Sequence, residues 1–499
     1  MSASKLQESG EVRIAHTLNE KEEEFVAKRR ERVFQSLQKL GIHCSQTEVP
    51  NIALLVSGGG QRAMVGLLGS LVELDKAGLL DCILYLCGVS GSTWCMASLY
   101  QEPDWSTKLD TVKDKIIKRL NGPAVSWGDA WVKLKKYYYE NDIFSLTDVW
   151  AVLAITEYVK EIDEQTLTDQ WDHLSKDPFP IYTVIDKQCK KDKDTVDTWF
   201  EISPYEAGYS LTGAFVETSS FGSQFENGKI KKKQPEMDML YLQGLTSTIE
   251  SEMIVEMRKD QNSSSVEKYF QVLRDLVKMN ICVLNSKDPS ALDQSIRTTL
   301  KDIFLRICRC IAEWIWGRKY NFLYKMTDKT VPSALLESET RDYEDAGLLL
   351  NSPYFSVLRK ERNIDLIISL DFSNLDAFLS VRDAADKCKE QNIPFPEVII
   401  PSEEKDKPKD FYVFKGQNAP TVIHIPLFNV VNCGDKLEGW KNDYVTWQNP
   451  YNQKKITDLM DIAGKNISNN KEKLLEQIDA VIEQKRQLMA SEHQWCTAF

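Results

Sequence analysis

Ser57-Gly58-Gly59-Gly60-Gln61-Arg62 follows directly on the apolar run Ile52-Ala53-Leu54-Leu55-Val56. A buried strand therefore breaks into a glycine turn and restarts as a helix. A second such turn, Gly88-Val89-Ser90-Gly91-Ser92, follows Ile83-Leu84-Tyr85-Leu86-Cys87. The second turn has the outline of a nucleophile elbow, which presents a serine on a sharp strand-to-helix reversal and needs small neighbours. Its last position is Ser92 rather than glycine, and a serine still meets the steric demand. The glycine triplet can bring backbone N–H groups close to a substrate, as an oxyanion hole requires. One turn supplies donors and the other a nucleophile, so the pair points to acyl transfer. Glycine turns also bind nucleotide phosphates, but the Gly-Lys-Ser/Thr ending of a P-loop and the Gly-x-Gly-x-x-Gly spacing are both absent.

The 499 residues allow one large α/β domain or two of medium size. A net charge of −12 disfavours nucleic acid as a partner and gives no unaided attraction to anionic membranes. The N-terminus carries no apolar leader, and no apolar run approaches a membrane span of about 18 residues. Eleven scattered cysteines read as cytosolic thiols, and Cys308-Arg309-Cys310 has no partner pair for zinc.

Residues 18–40 space Phe25, Val26, Val33, Phe34 and Leu37 along one face of a helix, read as an N-terminal extension (1–48) on the main body. Gly78 is placed to cap the helix that follows the first turn. Residues 186–197 and 226–237 read as loops. The polar stretch 245–300 is the best candidate for a cap, taken over approximately 230–310, within a catalytic domain of 49–455. Strands are expected again at residues 364–370, 397–400, 411–414 and 421–425. Strands alternating with helices at both ends favour a single α/β layer structure. In the tail (456–499), Leu474, Leu475, Ile478, Val481, Ile482 and Leu488 share a face. The chain ends Cys496-Thr497-Ala498-Phe499, a fit to the prenylation box.

A nucleophilic serine needs a proton acceptor. The histidines are His16, His43, His173, His424 and His493, and only His424 follows Ser90 in the order of an α/β-hydrolase triad. Its setting, Val422-Ile423-His424-Ile425, equally suits a structural histidine in a strand. Asp345, in Asp345-Ala346-Gly347-Leu348, could act directly on the serine or could simply make an Asx turn.

The two glycine turns, extended to Met64 and Trp94, resemble those of the group IV cytosolic phospholipases A2, relatives of the patatin lipases. The likeness continues through Ser203-Pro204-Tyr205-Glu206-Ala207-Gly208, Phe221-Gly222-Ser223-Gln224-Phe225 and Asn321-Phe322-Leu323-Tyr324. It includes Asp345-Ala346-Gly347-Leu348, Asp371-Phe372-Ser373 and Pro426-Leu427-Phe428-Asn429. Gly244-Leu245-Thr246-Ser247 departs from the family's Trp-Gly-Ser. The resemblance implies an α/β fold, a central mixed β-sheet flanked by helices with a helical cap. It implies a Ser90–Asp345 dyad, an oxyanion hole at Gly59 and Gly60, and substrate-phosphate contacts from Arg62 and, by spacing from Asp345, Arg362. It implies phospholipase A2 activity through an acyl-serine, with lysophospholipase and transacylase activities at the same site. The substrates would be glycerophospholipids and lysophospholipids. The branch it is most like lacks a calcium-dependent membrane domain and is prenylated. That implies calcium-independent action, no cofactor or metal, and a prenyltransferase acting at Cys496. It also implies a cytoplasmic protein peripheral on endoplasmic-reticulum or nuclear-envelope membranes. A triad esterase built on His424 and an inactive membrane-binding homologue are the alternatives.

Overall fold

The computed structural model describes residues 12–172, 174–191, 198–248, 302–303, 305–307, 309–310, 313, 315–446 and 448–496. Most of the expected cap (249–301), His173 and residues 497–499 lie outside the described residues.

In chain order the strands are β1 (Arg13–Ile14), β2 (Ile52–Val56), β3 (Tyr85–Gly88), β4 (Phe179–Asp186) and β5 (Trp199–Ile202). They continue with β6 (Glu206–Tyr209), β7 (Ala214–Glu217), β8 (Gln224–Glu226), β9 (Lys229–Lys232) and β10 (Arg318–Tyr320). The last are β11 (Thr340–Asp345), β12 (Leu366–Asp371), β13 (Tyr412–Phe414) and β14 (Thr421–Pro426). All but the β8–β9 hairpin join one sheet with the order β1-β7-β6-β5-β4-β3-β2-β12-β14-β13. Strands β4, β3, β2, β12 and β14 run parallel to one another. The flanks are antiparallel, so the sheet is mixed.

The parallel centre explains the unbroken apolar runs. Every residue of β2, β3, β12 and β14 is buried because both faces are covered. Alternate side chains feed two cores: Leu54 and Val56 enter one, Ala53 and Leu55 the other. Over the first core lie α2 (Gln61–Lys76) and α4 (Gln453–Ser468). They approach so closely at Gly69 that a Cβ there would stand 2.5 Å from the Met460 carbonyl oxygen. Between them in sequence is α3 (Gly91–Tyr100), and α5 (Lys471–Cys496) closes the chain.

Helix α1 (Glu20–Lys39) buries Phe25, Val33 and Leu37 as its spacing requires. It also buries Glu22 and Arg29, which the apolar pattern does not reveal. Arg29 donates to the carbonyls of Ile83 and Leu80 and to that of Lys176. In α5, Leu474, Ile478, Val481 and Ile482 are buried, but Leu488, expected on the same face, is exposed.

Three readings need correction. Residues 186–191 are not loop, since β4 ends at Asp186 and a short helix spans Lys187–Lys191. Residues 226–237 are not simply a loop, since β8 and β9 pair there around the Asn227-Gly228 turn. Residues 397–400 form no strand: Pro394, Pro396 and Pro401 deny ladder donors on either side, and Ile399 is exposed.

Candidate active site

Strand β4 sets the geometry. On one of its edges β3 runs parallel as far as the pair Gly88↔Tyr182. On the same edge β11 comes in antiparallel, from Tyr343↔Asp186 to Asp345↔Val184. The two strands thus meet end to end near Thr183. The chain must leave the sheet at Val89 and Ser90, and the last residue of β11 is Asp345. The topology delivers the serine and the carboxylate to one point.

Ser90 sits at φ 51°, ψ −131°, a strained conformation for a residue with a Cβ. The turn tolerates nothing larger around it. A Cβ on Gly88 would lie 2.6 Å from Met96 Sδ, and one on Gly91 would lie 2.0 Å from the Gly60 carbonyl oxygen. A Cβ on Gly58 would fall 2.8 Å from Ser90 Cβ. The glycine triplet and the elbow are therefore in direct contact, which fits the glycines at 58, 60 and 91. Helices α2 and α3 start at these two turns, so two positive helix ends converge where negative charge would develop.

The Ser90 hydroxyl and the Asp345 carboxylate line the same cleft, near enough for the hydroxyl to favour the ionised carboxylate. Burial pushes the Asp345 pKa up to about 7, against the opposing effects of that hydroxyl and of the Gly347 N–H, which donates to Oδ1 at 2.7 Å. The backbone N–H of Asp345 donates to Thr248 Oγ1 at 2.7 Å. Such a carboxylate is half-ionised near neutrality and is a far better base than one of ordinary pKa near 4.

Gly58 N–H is already used, donating to the carbonyl and to Oδ1 of Asn351 at 3.2 and 3.1 Å. Asn351 Nδ2 returns a bond to the Gly58 carbonyl and another to Ser373 Oγ. Among the described residues the N–H groups of Gly59 (φ 149°) and Gly60 (φ 57°) have no partner. Thr248 and Asn351 are the positioning residues that sequence reasoning missed. Asn351 lies six residues beyond Asp345 in the same loop, and nothing in its type or spacing marks it as a clamp.

Arg62 is buried, and burial lowers its pKa to about 10, which leaves it fully charged at neutrality. Its Nε donates to the Phe372 carbonyl at 2.7 Å, and Nη1 donates to the Tyr444 carbonyl at 2.6 Å. Both terminal nitrogens reach Thr446 Oγ1 at 3.3 Å. No carboxylate among the described residues pairs with it, so its charge is not neutralised. Gly59, Arg62, Ser90, Thr248, Asp345 and Asn351 line one cleft of about 410 Å³.

Arg362 is elsewhere, which corrects the expectation that it meets a substrate phosphate. Its guanidinium is fully enclosed, with Nε on Glu22 Oε1 at 2.9 Å and Nη1 and Nη2 on Glu201 at 2.9 and 2.7 Å. It also donates to the Ser356 carbonyl. Burial would raise the Glu201 pKa, but Arg362 and Arg359 outweigh it and hold it at about 2. A guanidinium shared between two carboxylates has no donor to offer a ligand. Spacing from Asp345 could not reveal this, because Glu22 and Glu201 come from distant segments.

His424 also lies outside the cleft. It pairs across β14 with Ser369 of β12, and its Nε2–H donates to the Ala377 carbonyl at 2.6 Å. Burial lowers its pKa, so the ring is neutral. It makes no contact with Ser90, and the triad alternative falls. Cys496 is the last residue of α5. Among the described residues no group of three or more His, Cys, Asp or Glu could hold a metal ion, and no helix is long and apolar enough to cross a membrane.

Residues 52–387 match the family described as the lysophospholipase catalytic domain. Cytosolic phospholipase A2 gamma of Mus musculus is 31% identical, the match spanning 94% of this chain and 92% of that protein. The Homo sapiens protein of the same name is also 31% identical, over 94% and 96%. Among solved structures, human GIVD cytosolic phospholipase A2 superposes with a TM-score of 0.74 at 22% identity, covering 96% of this chain and 69% of that one. The fold is thus that of the cytosolic phospholipase A2 catalytic domains, and the chain belongs to the cytosolic phospholipase A2 family, built on the lysophospholipase catalytic domain.

Proposed function

We propose that this phospholipase A2 and lysophospholipase catalytic domain cleaves acyl esters of glycerophospholipids and lysophospholipids through a Ser90–Asp345 dyad. The observation that carries the reading is the meeting of Ser90 and a buried Asp345 in one cleft, where the ends of β3 and β11 converge on β4. As Ser90 Oγ attacks the ester carbonyl, its proton passes to Asp345. The oxyanion forms where the unpartnered Gly59 and Gly60 N–H groups and two helix N-termini converge. Collapse of the intermediate expels the glycerol alkoxide, which takes the proton from Asp345 and leaves the acyl chain on Ser90. Water then attacks the acyl-serine, with Asp345 again accepting the proton, and collapse releases the fatty acid as Ser90 Oγ takes that proton back. A lysophospholipid hydroxyl in place of water makes the same step a transacylation.

Arg62 is the phosphate contact in this reading, because it is charged, preoriented by three oxygen acceptors and placed in the cleft. Asp345, the two glycines and Arg62 meet every charge that the reaction develops, so calcium is not required. A prenyl group on Cys496 would hold the protein on cytoplasmic membrane surfaces, those of the endoplasmic reticulum or nuclear envelope.

The test is turnover of a phospholipid labelled separately in each acyl chain, by purified wild type and Ser90→Ala, with and without a calcium chelator. Wild type should release labelled fatty acid equally with and without chelator, and Ser90→Ala should release none. Turnover by Ser90→Ala at the wild-type rate would overturn the dyad.

A further inference from the structure

The loop between β12 and the helix Leu379–Glu390 places two leucines on the lip of the cleft. Leu375 is 88% exposed and Leu379 50%. Both line the same cavity as Ser90 and Asp345. Val445, on the facing segment next to Thr446, is exposed as well. An aliphatic side chain that stands almost wholly in water is ordinary on a floppy loop. This loop is pinned on both sides. Before Leu375, Asn374 Nδ2 donates to the Lys441 carbonyl at 2.8 Å. After it, the Ala377 carbonyl accepts the His424 Nε2–H, and Phe378 is fully buried between Tyr412 and the same histidine. Further in, Phe372 N–H donates to Ser57 Oγ and Ser373 N–H to Asp371 Oδ1. The buried His424 thus holds the carbonyl two residues beyond Leu375.

We infer that Leu375 and Leu379 form a fixed apolar wedge that inserts into a lipid surface whose head groups carry no net charge. The inference rests on the phospholipase reading of the cleft, and it adds how the mouth meets the substrate's own surface. The choice of occupant follows from continuity and charge. The wedge borders the opening through which a substrate reaches Ser90, and that substrate's neighbours in a membrane are other lipids. The cavity that the wedge borders is lined by Asp345, Asp376 and Asp383 against Arg62, and Arg382 pairs with Asp376. Carboxylates outnumber cations, so attraction to anionic head groups is not what docks this face. Burial of leucine side chains is left as the driving term, and it is insensitive to salt.

The experiment uses the full chain made in a host without prenyltransferases, carrying Ser90→Ala so that lipid is not consumed. Sedimentation with sucrose-loaded phosphatidylcholine vesicles gives the partition coefficient. Leu375→Asp should lower it by about tenfold and Leu375→Asp with Leu379→Asp by about 100-fold, one factor of ten per leucine withdrawn from lipid. Leu375→Trp should shift its emission to the blue on vesicle addition and be quenched by brominated acyl chains. Raising salt from about 0.05 to 0.5 M should change binding by less than about twofold. Equal partitioning of the double variant and its parent would overturn the inference. So would binding that needs anionic lipid and disappears in salt. A dimer that dissociates on Leu375→Asp, with no change in vesicle binding, would assign the face to a second copy of the chain. Turnover of a monomeric short-chain ester by the Ser90 protein reports on the catalytic reading separately, because that substrate needs no surface.

Discussion

In the proposed dyad Asp345 is both the base and a burden on the fold. Its carboxyl prefers to be neutral in the folded protein, since burial raises its pKa from 3.8 to about 7. In the unfolded chain it ionises near 4, so between about pH 4 and 7 the folded state binds the extra proton and stability falls as pH rises. In that dyad the base works in its ionised form, so activity should climb over the upper part of that range. Asp345→Asn should therefore lose activity by about 10³-fold or more while melting at a higher temperature than wild type at pH 8. The stability gap, on the order of 4 kcal/mol at most, should vanish below about pH 4. A pH-rate profile for wild type and melting curves for both proteins at two pH values check both halves. A wild-type acid limb centred near pH 4 would contradict the assignment. The glycines make a second residue-scale statement. Gly91→Ala pushes a Cβ to 2.0 Å from the Gly60 carbonyl oxygen, so the two turns must part. The expected result is loss of turnover and about 3 kcal/mol of stability. Gly439→Ala, with nothing within 4 Å of the new methyl, is the control and should be neutral.

At the scale of elements, the sequence was legible wherever burial imposed a period. The apolar runs of β2, β3, β12 and β14 and the stripe of α1 are written in residue type, and so are the two turns, through glycine. The polar clamp that fixes α1 to the sheet is not, because Glu22, Glu201 and the Arg359–Arg362 turn come from three separate segments. Read locally, Arg362 is a cation at a suggestive distance from Asp345; in space it is the keystone of that clamp. Tyr85 of β3 also donates to Glu22. Arg362→Met should destabilise the protein by about 3–5 kcal/mol, since it leaves buried Glu22 without a cation and Glu201 with Arg359 alone. Whatever folds should bind substrate with unchanged KM, whereas loss of a head-group contact would raise KM in a protein of normal stability. Chemical denaturation with steady-state kinetics separates the two. His424 follows the same logic. Chain order made it a candidate base, but only the strand register shows it turned toward the Ala377 loop.

For the whole molecule, the two ends of the chain contribute unequally. Helix α1 gives Val33 and Leu37 to one core and Phe25 to the other, so it belongs to the body. Helix α5 is anchored by Leu474, Ile478, Val481 and Ile482, and then by Lys485 on Asp365 and Arg486 on Glu48. Removing residues 490–499 should shift the thermal midpoint by no more than about 2 °C, while removing residues 1–48 should abolish soluble expression. Differential scanning fluorimetry and yield of soluble protein measure these outcomes. The α/β class was foreseeable from alternating strands and helices, and the mixed sheet from the family resemblance. Its order was not, because β11 pairs with a strand more than 150 positions earlier, and no local pattern encodes such a partner.

That pairing makes activity a clock for refolding. Strands β2, β3 and β12 can build a native-looking parallel centre, with full far-ultraviolet signal, before β11 finds the short stretch of β4 that β3 leaves open. Until it does, Ser90 has an elbow but lacks the base of the proposed dyad. Closing so long a loop is entropically slow, so esterase activity after dilution from denaturant should lag the return of circular dichroism. The length of the lag measures the docking of a single strand.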